Sequence, residues 1–283
     1  MRIKDIREAT ASISSEIQNA YVNFSQMTVS VIAVESDVVR DGRPVTGYGI
    51  CSNGRYAQGG ILRERLIPRL EAAGEGELLT DDGSNFDPRK VRNVMLANEK
   101  PGGHGDRSVA AGALDMAIWD LVAKIAEQPL WRLLSDRYND GKHDERVMVY
   151  PGGGYYDPDK GLDGLRAEMQ GYRDSGYTLM KMKIGGAPID EDMLRIQAAL
   201  EVAQNGDNLA VDANAALDLD TAMNYAGAMA QYDLAWFEEP VDPLDYEAHA
   251  EMAKVCTMPI ATAENLYSRI DALNLIRHGG LRR

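Results

Sequence analysis

Short apolar segments alternate with longer amphipathic segments from about residue 146 onward. The short segments have the length of buried strands, and the longer ones repeat their apolar positions at helical spacing. The predicted strands are Val147–Tyr150, Leu179–Ile184, Leu209–Asp212, Ala235–Glu238 and Pro259–Glu264. Helices are predicted at about 161–176, 191–203, 219–231, 245–255 and 268–278. Five successive βα units, with no glycine-rich dinucleotide-binding segment after any strand, favour a parallel (β/α) barrel of the TIM type over a doubly wound sheet.

The first part of the chain has a different pattern. Two extended segments, Arg2–Thr10 and Met27–Val39, predict a small sheet, and the turn Asp41-Gly42 closes the second segment. Helices follow at about 60–73 and 88–97, and a long amphipathic helix begins near Arg107. We therefore predict an α/β protein with an α+β domain over residues 1–145 and a barrel domain over residues 146–283.

Composition narrows the classes of function. The chain of 283 residues is 45% hydrophobic, which is enough for a sizeable core, and its 30 basic and 44 acidic residues give a net charge of −14. This charge repels phosphate backbones and anionic membrane surfaces, so neither nucleic acid nor a membrane is expected as a partner. Cys51 and Cys256 stand too far apart to suggest a disulfide framework or a zinc cluster. With no membrane-spanning segment and no signal peptide predicted, we expect a cytoplasmic protein.

Charged residues stand at the carboxyl ends of four predicted strands. Lys181 and Lys183 belong to one strand, and Asp212, Glu238 and Glu264 follow on the next three at 26-residue intervals. In a barrel these strand ends face a common mouth, where active sites are built. The sequence therefore predicts that three carboxylates and two lysines converge.

Three neighbouring carboxylates repel one another unless a cation lies between them. Oxygen ligands without a nearby His or Cys select magnesium, so we predict a Mg²⁺ site at Asp212, Glu238 and Glu264. A single strand-end carboxylate would be better explained as a cap for the following helix. The regular spacing of three favours the metal site.

The two lysines lie two positions apart, so their side chains leave the same face of the strand, with Cα atoms about 7 Å apart. A cationic neighbour and a metal ion would lower the pKa of a buried lysine toward that of a usable base. A Lys-x-Lys pair alone also occurs at solvated edges. The carboxylates on the next strands are what favour a functional reading of Lys181 and Lys183.

The segments Lys-Met-Lys, Asp-Ala-Asn, Glu-Glu-Pro and Ala-Glu-Asn on consecutive strands resemble the mandelate racemase-like branch of the enolase superfamily. The resemblance implies an α+β capping domain before the barrel and a Lys or His base that acts with magnesium, which is an established property of the family. It further implies that Lys183 removes the proton next to a carboxylate and that Lys181 stabilises the developing enediolate. Asp212, Glu238 and Glu264 are the metal ligands on the same grounds.

Segments of the N-terminal domain resemble those of D-tartrate dehydratases. They are Asn19-Ala-Tyr, Gly47-Tyr-Gly, Ser52-Asn-Gly-Arg-Tyr56 and Asn98-Glu-Lys-Pro-Gly-Gly-His-Gly105, together with Lys181-Met-Lys-Ile-Gly-Gly-Ala-Pro188. The resemblance implies that Asn53 and Lys100 contact the distal hydroxyl and carboxylate of a small acid-sugar substrate. On residue type alone, Lys100 is equally compatible with a solvated loop. The implied reaction is the dehydration of D-tartrate to oxaloacetate.

The chain departs from the family at its carboxyl end. Members of this branch carry a His on the seventh strand that protonates the leaving hydroxide, and no such residue follows the fifth βα unit here. We therefore expect a barrel that is incomplete after that unit, with exposed strand edges and no product formed by this chain alone. The full-length protein is expected to be a homo-oligomer. The alternatives are another acid-sugar dehydratase or racemase of the superfamily, or a truncated non-catalytic product that keeps the metal site.

Overall fold

The computed structural model describes residues 1–13, 15–52 and 54–281, and the chain divides into two compact units. The first comprises Met1–Ser14 and Gln26–Arg146, and the second comprises Ser15–Ser25 and Val147–Arg283. The predicted domains, 1–145 and 146–283, placed Ser15–Ser25 in the first domain. In the structure this segment belongs to the second unit. A β-bridge between Gln18 and Tyr156 ties this short segment to the second unit.

The first unit contains a three-stranded antiparallel sheet in the order β1-β2-β3. Its strands are β1 (Ile3–Ser12), β2 (Thr28–Arg40) and β3 (Arg43–Cys51). Asp41 and Gly42 both have positive φ angles, as a two-residue hairpin turn between β2 and β3 requires. The third strand, which the sequence analysis did not predict, completes the small sheet.

Helices cover one face of this sheet. They are α1 (Ala57–Ile61), a π-helical turn (Leu62–Leu66), α2 (Ile67–Glu71), α3 (Pro88–Met95), α4 (Gly105–Ile125) and α5 (Leu130–Tyr138). The long helix α4 buries Leu114, Ile118 and Leu121, which lie on one stripe of its surface, in a core shared with Ile32 and Val34 of β2. This core is the hydrophobic centre of the first unit.

The second unit is a run of five βα units around a parallel sheet in the sequential order β4-β5-β6-β7-β8. Its strands are β4 (Gly152–Gly153), β5 (Met180–Lys183), β6 (Leu209–Asp212), β7 (Phe237–Glu238) and β8 (Ile260–Ala261). The helices are α6 (Gly161–Asp174), α7 (Ile189–Ala203), α8 (Leu219–Met229), α9 (Tyr246–Val255) and α10 (Arg269–Arg277). Each helix contacts the next along the chain, which is the arrangement of a TIM-type domain.

Side-chain caps begin several of these helices at the places where the sequence changes from strand to helix. Asp218, Asp245 and Ser268 each accept a hydrogen bond from a backbone N–H of the first helical turn, at the start of α8, α9 and α10 respectively. These caps end the loops that follow the strands. They explain why the predicted and observed helix boundaries agree closely.

The predicted first strand of the barrel is misplaced. Val147–Tyr150 is not part of a strand, and the sheet begins instead at Gly152–Gly153, which pairs with Lys181 and Met182. The apolar run looks like a buried strand in the sequence, but Val147 and Met148 are 76% and 72% exposed. Backbone pairing with β5, rather than apolar composition, therefore decides where the strand forms.

The core of the second unit lies between the sheet and its helices. Met180, Met182, Leu209, Val211 and Phe237 are completely buried in it. Among the described residues, no helix is both long and apolar enough to cross a membrane.

Candidate functional site at the strand ends

The carboxyl ends of β5, β6 and β7 place three charged residues side by side. In the parallel register, Lys183 pairs with Asp212, and Asp212 pairs with Glu238. Residues in register on neighbouring parallel strands lie about 4.8 Å apart and point the same way. The fold therefore brings together Lys183, Asp212 and Glu238, with Lys181 one step earlier on the same face of β5.

Asp212 is completely buried and is the centre of this cluster. Its Oδ2 atom accepts hydrogen bonds from Lys183 Nζ at 2.6 Å and Lys181 Nζ at 3.0 Å, and Oδ1 accepts one from the backbone N–H of Asn214 at 2.9 Å. Burial works to raise the pKa of Asp212, but the two ammonium groups, Lys183 first, outweigh it and hold the pKa below its ordinary value. Asp212 is therefore an anion in the folded protein.

Lys181 bridges Asp212 and Glu238. Its Nζ atom lies 2.5 Å from Glu238 Oε1, while the indole N–H of Trp236 donates to Glu238 Oε2 at 2.9 Å. Burial works to lower the pKa of Lys181, but the hydrogen bond to Glu238 and the charges of Asp212 and Glu238 raise it above its ordinary value. The two carboxylates therefore act more strongly on the pKa of Lys181 than burial does.

Glu264 lies beyond the level that Asp212 and Glu238 share in the sheet. The register pairs Glu238 with Ala261, so Glu264 lies three residues beyond the level of Glu238, in the turn after β8, and it is exposed. The interval of 26 residues matches the register between β6 and β7 but not between β7 and β8. Equal spacing along the chain is therefore not equal height in the sheet.

Glu239 is a member of the cluster that the sequence analysis did not assign. It is 1% exposed, and its Oε1 atom accepts a hydrogen bond from the Asn265 side chain at 3.1 Å. Burial, and then repulsion from Glu264, raises the pKa of Glu239 to about 7. The only signal in the sequence was its place next to Glu238 at a strand end.

The backbone at these strand ends adopts conformations that are rare for residues with a side chain. Asn214, Ala215, Glu239 and Ala263 all have positive φ angles. A positive φ angle at a residue with a side chain costs free energy, and such conformations occur often at functional sites. The four directly follow β6, β7 and β8, so the unusual backbone coincides with the charged cluster.

The strand ends carry oxygen atoms of the type that hard cations prefer. Among the described residues, no group of three or more His, Cys, Asp or Glu side chains is arranged to hold a metal ion. The Lys181 ammonium instead lies between Asp212 and Glu238, where it supplies positive charge to both. Asn214 Oδ1 and Thr262 Oγ1 are buried at the same strand ends without a hydrogen-bond partner. Crowded carboxylates and unpartnered oxygens suit magnesium, and its ligands stay a prediction.

The predicted substrate contacts belong to the first unit. Asn53 lies outside the described residues. Lys100 is exposed in the loop between α3 and α4, and it lines a cavity of about 590 Å³ together with Arg65, His104 and Arg107. Arg107 donates a hydrogen bond to the Lys100 carbonyl oxygen at 2.6 Å and thereby holds the loop. The role of both residues in binding substrate stays a prediction.

Two family models match the chain in the expected order. Residues 80–135 match the N-terminal domain of the mandelate racemase / muconate lactonizing enzyme family, and residues 164–282 match the enolase C-terminal domain-like family. Together they cover more than half of the chain. The second match includes β5 to β8 and therefore the whole charged cluster.

Two curated relatives are similar to this chain in sequence. A 3,6-anhydro-alpha-L-galactonate cycloisomerase of Streptomyces coelicolor is 34% identical over 64% of this chain and 47% of its own length. An L-talarate/galactarate dehydratase of Salmonella typhimurium is also 34% identical, over 68% of this chain and 46% of its own length. The matched region thus spans just under half the length of each relative.

A solved structure extends the likeness to nearly the whole chain. A racemase from Streptomyces coelicolor, solved with bound magnesium, has a TM-score of 0.81 and 28% identity, and the match covers 99% of this chain and 74% of that one. The fold, the two family models and the curated relatives agree. This chain is therefore a member of the enolase superfamily, with sequence from both its N-terminal and its C-terminal domain.

Proposed function

We propose that this protein is a magnesium-dependent hydro-lyase that dehydrates a small acid sugar, with D-tartrate, which would give oxaloacetate, as the specific candidate. The observation that carries the proposal is the register that places Lys183, Asp212 and Glu238 at one level on three adjacent strands. A base and two carboxylates held at this spacing suit the removal of a proton next to a metal-bound carboxylate.

Asp212, Glu238 and Glu264 are the proposed magnesium ligands. The neighbouring carboxylates of Asp212 and Glu238 and the magnesium in the Streptomyces coelicolor racemase structure support this assignment. A bound magnesium ion would neutralise the substrate carboxylate and so make the adjacent C–H bond more acidic. Asp212 Oδ2, which now accepts hydrogen bonds from both lysines, would have to exchange at least part of this bonding for the metal.

Lys183 is the proposed base and Lys181 the group that stabilises negative charge. To act as a base, the Lys183 ammonium that contacts Asp212 first loses a proton to solvent and becomes a neutral amine. This amine takes the α-proton, and the electron pair of the broken C–H bond moves into the carboxylate to form an enediolate. Lys181, whose pKa is raised, stays protonated and donates a hydrogen bond to an enediolate oxygen. The C–O bond at the β carbon then breaks, the departing hydroxide takes a proton from solvent and leaves as water, and the enol tautomerises to the ketone.

The substrate is proposed to be a diacid that Asn53 and Lys100 contact at its far end. The segments similar to D-tartrate dehydratases and the cation at Lys100 favour D-tartrate. The relatives that act on galactarate and on an anhydrogalactonate make a larger acid sugar, or a cycloisomerisation, the second candidate. These reactions all begin with proton removal next to a carboxylate, so the first step does not discriminate between them.

The test follows the α-proton, whose exchange needs the base but not the later loss of hydroxide. The chain is incubated with magnesium in deuterated buffer and separately with D-, L- and meso-tartrate, galactarate and arabinonate, and NMR measures deuterium incorporation and product. We expect exchange with D-tartrate, and its loss in Lys183→Ala. Lys254→Ala, which removes a surface lysine paired with Glu251, is the matched control and should exchange normally.

Exchange that persists in Lys183→Ala would show that Lys183 is not the base. Exchange with galactarate or arabinonate but not with D-tartrate would replace the substrate and keep the mechanism. Isothermal titration with magnesium tests the metal site separately: Asp212→Asn and Glu238→Gln should bind magnesium more weakly than the parent chain. If neither variant weakens binding, the proposed metal site is wrong.

A further inference from the structure

A buried polar network on helix α7 lies directly beneath the carboxyl ends of β4 and β5. Its central residues are Asp192, which is completely buried, and Arg195, which is 8% exposed. They stand three positions apart on α7, and Arg195 donates a hydrogen bond to Asp192 Oδ1 at 2.7 Å. Neither residue belongs to the charged cluster at the strand ends, and no function described so far uses them.

Arg195 holds the backbone of Lys183. Its guanidinium donates one hydrogen bond to the Lys183 carbonyl oxygen at 3.0 Å and another to the Gly154 carbonyl oxygen at 2.6 Å. The ladder between β4 and β5 ends at the pair Gly153 and Met182, and the two carbonyl groups belong to the residues that follow this pair, Gly154 just after β4 and Lys183 at the end of β5. The guanidinium therefore continues the connection between the strands at the level of Lys183.

Asp192 holds the loop that leaves Lys183. Its Oδ2 atom accepts hydrogen bonds from the Gly185 backbone N–H at 2.7 Å and the Tyr225 hydroxyl at 2.9 Å. The Tyr156 hydroxyl donates to Oδ1 at 2.7 Å and accepts a hydrogen bond from the Gly186 backbone N–H at 2.9 Å. Gly185 has a φ angle of +85°, so the chain turns sharply here. The carboxylate thus fixes the turn immediately after the strand.

Packing reinforces these hydrogen bonds. The Arg195 guanidinium lies 3.9 Å from the centroid of the Tyr156 ring, a distance suited to a cation–π contact. Tyr156 in turn donates its backbone N–H to the Gln18 carbonyl oxygen at 3.0 Å. The planar fork of arginine can serve two carbonyl groups, a carboxylate and an aromatic face together, which a lysine cannot do.

A buried ion pair of this kind is a weak source of stability, because desolvation of both charges offsets most of their attraction. Its value is geometric, since it orients the groups that it touches. Lys183 carries a flexible four-carbon side chain whose starting point is set by its own backbone. A base must stand within hydrogen-bond reach of the proton that it removes, and small displacements are costly in rate.

We propose that Arg195 and Asp192 are positioning residues that hold the backbone of Lys183, and therefore its ammonium group, in place at the strand ends. The inference depends on the proposed role of Lys183 as the base. It goes beyond that role by assigning the orientation of the base to one guanidinium and one carboxylate on α7.

The first experiment observes Lys183 directly and needs no substrate. Its ammonium group, buried against Asp212, should give a ¹⁵N-detected NMR signal protected from water exchange, assigned by its loss in Lys183→Ala. Arg195→Met should broaden or abolish this signal. Arg173→Met is the matched control, because Arg173 also donates to two carbonyl oxygens, those of Val202 and Ala203, but at the opposite end of α7.

The second experiment measures the rate of α-proton exchange at saturating substrate. Arg195→Met should lower this rate by roughly tenfold to a hundredfold, with magnesium affinity within about twofold of the parent. Arg173→Met should retain the parent rate even if its thermal midpoint falls. Arg195→Lys keeps the charge without the fork and should retain only part of the rate, and it decides the question if Arg195→Met does not fold.

Equal losses in the Arg195 and Arg173 variants, or a Lys183 signal unchanged in both Arg195 variants, would overturn the proposal. Failure of the proposed function is distinguishable from this result. In that case the parent chain would exchange no α-proton from any substrate, while the NMR signal would still show whether Arg195 positions Lys183.

Discussion

Asp212 determines the charge balance at the strand ends. A single oxygen, Oδ2, accepts hydrogen bonds from Lys181 and Lys183 and is also the proposed point of attachment of a metal ion. A cation that binds there competes with two ammonium groups already in contact. The same residue therefore connects the metal site to the base, and a change at Asp212 should alter both.

Glu99 in the first unit, like Asp212 in the second, is a carboxylate that pairs with several cationic side chains. Its side chain is 7% exposed and forms ion pairs with three arginines, through Oε2 with Arg65 and Arg107 and through Oε1 with Arg69 at 2.9 Å. The hydrogen bond from Arg65 is the largest cause that lowers the pKa of Glu99 from 4.5 to about 2, against the opposing effect of burial. Glu99 is the residue before Lys100, so these ion pairs also hold the loop of a proposed substrate contact.

Replacement of Glu99 should change how stability depends on pH. Because the folded pKa lies below the unfolded one, the stabilisation from Glu99 is complete above the unfolded pKa and disappears as the pH falls through about 2. Glu99→Gln should therefore unfold at a lower temperature than the parent at pH 7, and the difference should shrink as the pH falls from 5 to about 2. Thermal unfolding followed by circular dichroism measures it.

The control for that experiment is Glu127→Gln. Glu127 pairs with Arg40 at 3.0 Å, but its side chain is 69% exposed, so the pair contributes little. A difference between parent and Glu99→Gln that stays constant from pH 7 to 2 would contradict the assigned pKa.

Helix α4 approaches strand β3 unusually closely, and two glycines make this contact possible. A Cβ atom at Gly47 would overlap the Ala117 carbonyl oxygen, and one at Gly49 would overlap the Ala113 carbonyl oxygen. Both obstacles are backbone atoms of α4, which cannot move aside as a flexible side chain can. The absence of side chains at two alternate positions of β3 therefore lets the helix rest on the sheet.

Gly47→Ala should destabilise the first unit by about 1–3 kcal/mol through overpacking. The matched control is Gly112→Ala on α4, where an added Cβ meets nothing within 4 Å. There the better helix propensity of alanine should stabilise the protein by about 0.5–1 kcal/mol. Urea unfolding measures both changes, and equal midpoints for the two variants would show that α4 can shift away from β3.

The observed boundaries of the helices and strands show which local sequence signals were sufficient to predict an element. Helices α6 to α10 lie close to their predicted ranges, because apolar spacing and capping residues are local properties of the chain. Strand β3 and the position of β4 were not predicted. Glycines interrupt both segments, and each becomes a strand only because a neighbouring strand, β2 or β5, offers its hydrogen-bonding groups.

At the scale of the molecule, magnesium should stabilise the second unit if the proposed site is correct. A ligand that binds only the folded state raises stability in proportion to the logarithm of its concentration above the Kd. Magnesium should therefore slow amide hydrogen exchange in segments 212–216, 238–242 and 261–266, which follow β6, β7 and β8. Mass spectrometry with and without magnesium, at equal ionic strength, measures this protection.

Asp212→Asn provides the control and should abolish most of the protection. Sodium chloride at matched ionic strength separates site binding from general screening of the net charge of −14. Protection that is unchanged in Asp212→Asn, or absent from all three segments, would contradict the proposed metal site.

The amino-acid sequence by itself determined the order of the five βα units, the residues that end β6 and β7, and the family to which the chain belongs. These features depend on periodicity and residue type, which are local. The tertiary structure alone decided which residues stand at the same height. Strand register is a non-local choice that sets Asp212 beside Glu238 but carries Glu264 three residues past that level.

The packing of α7 against β4 and β5 likewise brought Asp192 and Arg195 beneath Lys183, and a β-bridge joined Ser15–Ser25 to the second unit. Some of these contacts, such as those of Arg195 with Gly154 and of Gln18 with Tyr156, join segments distant in the chain. They depend on burial and on the pairing of polar groups, so no local pattern indicates them.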